Sequence, residues 1–207
     1  MNQLISFEGI DGSGKSTQIN LLKYKFDENN IENIIVREPG GNVVSEKIRS
    51  ILLDNKNNIN KYTEVLLFMS SRSQLVDEII KPALLNNQFV LCDRYIDSTI
   101  AYQGYGRGIN KNSINILNDF SIQSIVPKLT ILFNLDIHIA LKRISADKDR
   151  MEDSDIQFWE RIQNGYLEIA KIYNDRFVII DCNNKDQYEI NTELVSIINS
   201  KFGEILK

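Results

Sequence analysis

Gly9-Ile10-Asp11-Gly12-Ser13-Gly14-Lys15-Ser16 stands between an apolar run at 4–7 and a stretch with helical apolar spacing at 15–26. The octet fits the phosphate-loop pattern G-x-x-x-x-G-K-S/T in its strand–turn–helix setting. Glycines let the backbone close on phosphate oxygens. The loop N–H groups and the helix N-terminus then face the anion. Lys15 is placed to reach the β- and γ-phosphates of ATP, and the Ser16 hydroxyl to bind Mg2+. The expected ATP-binding set is Gly9, Ile10, Asp11, Gly12, Ser13, Gly14, Lys15, Ser16 and Thr17.

Outward from this loop, apolar runs at 34–36, 89–92, 129–135 and 177–180 read as further strands. Helical spacing marks 45–53, 61–85, 114–120, 137–145, 155–173 and 188–202, with a break or kink expected near Pro82. Strands alternating with helices, and strands apolar without alternation, predict a five-stranded parallel sheet with helices on both faces. That is an α/β P-loop fold. The 207 residues suit one domain, 1–207.

Composition narrows the function. The chain is 43% hydrophobic and 25% charged with net charge −4, which argues against disorder and against coating nucleic acid. Cys92 and Cys182 have no CxxC or zinc spacing, and the lone His138 cannot support a His-rich metal site. The N-terminus lacks a basic-then-apolar leader, and no run approaches ~18 apolar residues. A cytoplasmic enzyme with no membrane partner is expected.

Asn184-Lys185-Asp186-Gln187 lacks the final Asp of a guanine-reading motif, which speaks against a GTPase. Small size, Asp93-Arg94 closing a strand, and a basic segment after the fourth strand fit a nucleoside monophosphate kinase. In an open α/β sheet, ligands bind beyond the carboxyl ends of strands, where Arg94, Arg37 and Glu38 fall. Asp93 suits a carboxylate that holds a water of Mg2+.

Several stretches then resemble the thymidylate kinase family in order and spacing: Phe7-Glu8-Gly9-Ile10-Asp11-Gly12, Arg37-Glu38-Pro39-Gly40-Gly41, Asp93-Arg94-Tyr95-Ile96-Asp97-Ser98 and Ala101-Tyr102-Gln103-Gly104. Glu64-Val65-Leu66-Leu67-Phe68 with Arg72, Ile80-Lys81-Pro82-Ala83-Leu84, and Tyr166-Leu167-Glu168 extend the resemblance over nearly the whole chain. It implies transfer of the γ-phosphoryl group of ATP to dTMP. It implies that Phe68 stacks on thymine, that Arg72 bonds a thymine carbonyl, and that Gln103 reads the base's other edge. Arg94 and Arg49 resemble the pair gripping the acceptor phosphate, and Glu38 is expected to orient Arg49 or the sugar. Thr99 and Tyr102 match positions lining the deoxyribose, Tyr102 excluding a 2′-hydroxyl. Asp11 resembles a residue placing the metal or an acceptor-side group; a plain structural hydrogen bond is its alternative.

No basic residue stands between Gly9 and Lys15, so the charge needed by the transition state must come from elsewhere. The segment from Lys142 resembles a basic LID, at about 142–155. Arg143 and Arg150 are its expected catalytic cations, with Lys148 behind them. The resemblance also implies a homodimer, for which an apolar face within 65–75 is the expected interface. Two other readings stay open: a P-loop kinase for another nucleotide or a deoxynucleoside, and a nucleotide-binding module without turnover.

Overall fold

The computed structural model describes residues 2–144, 149–152 and 154–207. Five strands form one parallel sheet: β1 (Leu4–Glu8), β2 (Asn33–Arg37), β3 (Phe89–Asp93), β4 (Leu129–Asn134) and β5 (Phe177–Asp181), in the order β2-β3-β1-β4-β5. β1 is central and buried along its length. Its side chains alternate between two cores. Ile5 and Phe7 pack with Phe26 and Leu91 on one face, Leu4 with Leu75, Val90 and Cys92 on the other. Covering both faces is what makes the strands read as unbroken apolar runs. The register pairs Phe7 with Asp93, so the chain leaves β1 and β3 side by side at one edge of the sheet.

The helices are α1 (Lys15–Glu28), α2 (Val43–Leu53), α3 (Lys61–Leu75), α4 (Lys81–Leu85), α5 (Ile96–Thr99), α6 (Lys111–Ile122), α7 (Ile137–Arg143), α8 (Ile156–Ile172) and α9 (Gln187–Phe202). Asn42, Asn60, Asn110, Asp136, Asp155 and Asp186 cap six of them, their side-chain oxygens accepting first-turn N–H groups.

Two details depart from the sequence reading. The helix expected over 61–85 is helical throughout but changes pitch through a π turn at Val76–Ile80. There the Lys81 N–H donates to the Val76 carbonyl, five residues back. The following residue, Pro82, has no N–H to offer, so the register shifts where a bond is lost anyway. A second π segment, Ile100–Gly106, follows α5 and carries Tyr102 and Gln103. It packs closely on α8: a Cβ on Gly165 would sit 2.7 Å from the Tyr105 ring.

The apolar face expected within 65–75 is turned inward. Val65, Met69 and Leu75 are buried in this chain, and Leu66 is the exposed apolar residue of that stretch. Both cysteines are buried free thiols. Among the described residues no helix is long and apolar enough to cross a membrane.

Candidate active site

The phosphate loop leaves β1 at Gly9, whose φ of +138° suits glycine; a Cβ there would meet the Phe133 carbonyl oxygen at 2.6 Å. The Lys15 ammonium donates to the carbonyls of Gly9 (3.1 Å) and Ile10 (3.0 Å). Burial, with Arg94 nearby, lowers its pKa to about 8. Ser16 Oγ donates to Asp93 Oδ2 at 3.0 Å, linking the loop to the end of β3. A hydroxyl beside one carboxylate suits Mg2+, which takes few protein ligands and keeps waters and phosphate oxygens.

Arg94 sits one residue past β3 in the left-handed region, φ +69°. Such strain gathers where surroundings hold a side chain to a task. Its guanidinium donates to Asp11 Oδ1 (2.7 Å), the Gly9 carbonyl (2.9 Å), Tyr166 Oη (3.1 Å) and Ser98 Oγ (3.2 Å). It also lies 5.0 Å from the Tyr102 ring centre. Tyr102 Oη donates to the other Asp11 oxygen at 3.0 Å. Burial pushes the Asp11 carboxyl up, but Arg94 and Lys15 outweigh it and hold the pKa at about 2. Asp11 is thus a neutralised carboxylate, not one left to repel a triphosphate.

Two cavities meet here. One runs along the loop, lined by Gly12, Gly14, Lys15, Ser16, Thr17, Arg37, Asp93 and Arg143. The second is a cleft lined by Phe68, Arg72, Ser98, Thr99, Tyr102 and Gln103. Asp11, Glu38, Arg49 and Arg94 line both and form the wall between them. Arg49, carried by α2, donates to the Pro39 carbonyl at 2.9 Å. Arg143, at the end of α7, reaches the Gly12 carbonyl at 3.3 Å.

The geometry gives three of the expected residues these partners. Glu38 does not orient Arg49; its carboxylate pairs with Arg72 Nη2 at 2.6 Å, both side chains buried. Arg72 is committed further, to Asn118 Oδ1 (2.6 Å), the Tyr95 carbonyl (3.0 Å) and Thr99 Oγ1 (2.9 Å). It is held in place on the lining of the cleft by these bonds. Arg150 lies away from the phosphate loop. It bonds Glu64 at 2.7 Å and the Leu52 carbonyl at 2.7 Å, because a buried carboxylate one turn before Phe68 demands a cation. Lys148 and the rest of 145–148 lie outside the described residues, as does 153.

Two residues without an assigned role carry much of the site. Glu8 is fully buried beneath it and accepts from Ser6 Oγ (2.7 Å), the Tyr95 N–H (2.8 Å), Ser98 Oγ (2.6 Å) and Tyr166 Oη (3.1 Å). Burial, then the nearby Asp97 charge, raise its pKa to about 7. A lone carboxylate closing an apolar strand was the signal for it. Glu64 shares a helical stripe with Phe68 and Arg72 by i, i+4, i+8 spacing, which was the signal for the second.

A P-loop beside an arginine wall, opening on a second cleft, on this sheet order, defines a nucleoside monophosphate kinase of the P-loop fold. The family model described as thymidylate kinase matches residues 7–194. Thymidylate kinase of Thermosipho africanus is 46% identical over 94% of this chain and 96% of its own. That of Fervidobacterium nodosum is 44% identical, over 95% and 98%. The crystal structure of thymidylate kinase from Ehrlichia chaffeensis superposes with a TM-score of 0.78 at 34% identity, covering 96% of this chain and 98% of that one. The chain belongs to the thymidylate kinase family.

Proposed function

We propose that this chain transfers the γ-phosphoryl group of ATP to dTMP across the wall formed by Asp11, Glu38, Arg49 and Arg94. The observation that carries the reading is that shared wall, with the phosphate loop on one side and the Phe68 cleft on the other. ATP lies along the loop, its β- and γ-phosphates met by Lys15 and by the N–H groups of 9–17. The dTMP base lies against Phe68, its sugar near Thr99 and Tyr102, and its phosphate between Arg49 and Arg94. The guanidinium fork suits two parallel bonds to phosphate oxygens.

The acceptor oxygen is already ionised, so no general base is needed. Positioning and charge neutralisation carry the reaction. Arg143, at the start of the segment at about 142–155 read as a LID, supplies the cation that the loop lacks. Mg2+ bound with ATP would be held by Ser16 and, through water, by Asp93, and would neutralise phosphate charge.

The two buried thiols fit a reducing, cytoplasmic setting. A homodimer is part of the proposal. Its interface is the layer of α2, α3 and α6, which leaves Val43, Leu66, Ile116 and Phe120 exposed.

A coupled ADP-release assay across dTMP, dUMP, dCMP, dGMP and thymidine tests the reading. dTMP is expected to be the best acceptor. Thymidine as best acceptor would contradict an arginine wall built for a phosphate.

A further inference from the structure

Gln103 is buried at the base end of the cleft, on the π segment. Its Nε2 donates to Glu64 Oε1 at 3.0 Å. Glu64 is 1% exposed and holds two guanidiniums, Arg107 at 3.2 Å and Arg150 at 2.7 Å. A carboxylate that meets two guanidiniums presents acceptor oxygens to them and to the Gln103 amide. The amide of Gln103 is therefore fixed: its NH2 faces Glu64, and a flipped amide would set carbonyl against carboxylate. Its carbonyl is the amide's remaining polar atom, on a side chain that lines the cleft.

We propose that Glu64 is a specificity-positioning residue, which with Arg107 and Arg150 locks Gln103 as an acceptor and so selects bases bearing a ring N–H. This rests on the dTMP reading above. Thymine and uracil carry a donor at N3; cytosine carries a lone pair there. A fixed acceptor bonds the first two and repels the third. Facing the cytosine lone pair, the carbonyl would lose its bond and the base its water, which costs more than the bond itself contributes. Arg150 joins Glu64 to the Leu52 carbonyl of α2, so the cation expected at the phosphates serves the base instead.

The test is Glu64→Gln, which lets the Gln103 amide turn. The ratio of kcat/KM for dTMP over dCMP is expected to fall about tenfold or more. The dTMP over dUMP ratio stays put, because both share the imide edge, and the Kd for ATP is unchanged. An equal loss for all three acceptors would reduce Glu64 to a structural role and overturn the proposal. Should wild-type protein itself fail to phosphorylate dTMP, the functional reading falls instead, so the two failures are distinguishable. If the variant does not fold, wild-type protein with ADP and 15N3-labelled dTMP decides. A slowly exchanging imide proton with a through-space correlation to the Gln103 side chain supports the lock; its absence contradicts it.

Discussion

Arg94→Ala removes four donated bonds at once, to Asp11, Gly9, Ser98 and Tyr166. In the ternary complex its fork would make two charge-assisted bonds to the acceptor phosphate. Each is worth about 1.5–3 kcal/mol, so about 3–6 kcal/mol of transition-state stabilisation is lost. At 1.36 kcal/mol per decade, kcat/KM for dTMP falls by about two to four powers of ten. A second effect adds to this. Asp11 keeps Tyr102 and Lys15 against its charge, and its carboxylate then opposes the triphosphate. Asp11→Asn in the Arg94→Ala background should therefore recover part of the ATP affinity, whereas Asp11→Asn alone should not improve it. Backbone strain does not blur the comparison, since Ala and Arg bear similar strain in the left-handed region. The assay is steady-state kinetics with both substrates varied, and ATP binding by calorimetry, on all four proteins. A single variant within threefold of wild type, or strictly additive effects in the cycle, would refute the reasoning.

Other outcomes follow from the same geometry. Arg143→Ala should lower kcat by about a hundredfold or more, while Arg150→Ala, placed at Glu64, should change acceptor KM and base selectivity more than kcat; equal kcat losses in the two would contradict the separation. Arg176 makes a bidentate buried pair with Asp97, both bonds at 2.7 Å, so Arg176→Ala should cost about 3–5 kcal/mol by leaving Asp97 unpaired. That corresponds to a fall in Tm of roughly 6–20 °C, read by calorimetry, with kcat at low temperature little changed. Glu8, with its pKa raised to about 7, binds a proton more readily folded than unfolded. Its contribution to stability is full below about pH 4.5 and is lost as pH rises through 7. Glu8→Gln should flatten that decline in denaturation curves taken from pH 4.5 to 8; parallel curves would show that Glu8 does not titrate there.

Local signals were the readable ones. The phosphate loop, the carboxyl ends of β1 and β3, and all five strands are written in contiguous residues, and the structure puts them within a residue or so of their expected bounds. Gly9, Lys15, Ser16, Asp93 and Arg94 come together because strand order places two neighbouring strand ends side by side. Partnerships between distant residues were not readable. Arg150 looked like a phosphate ligand because it stands in a basic segment, but its partner Glu64 is far away in sequence, on α3. Arg72 was placed by its spacing on the Phe68 face, but its partners Glu38, Asn118 and Thr99, each from a different segment, were not readable. Pro82 signalled an irregularity near the first π segment, but the second, Ile100–Gly106, was hidden, since a helix that widens for a turn or two leaves no apolar period of its own.

A crystal structure with ADP and dTMP bound together tests the central claim most directly. The account places the dTMP phosphate within hydrogen-bonding distance of both Arg49 and Arg94, in line with the end of the diphosphate beside Lys15. A dTMP phosphate pointing away from that pair, with the base at the wall, would contradict it.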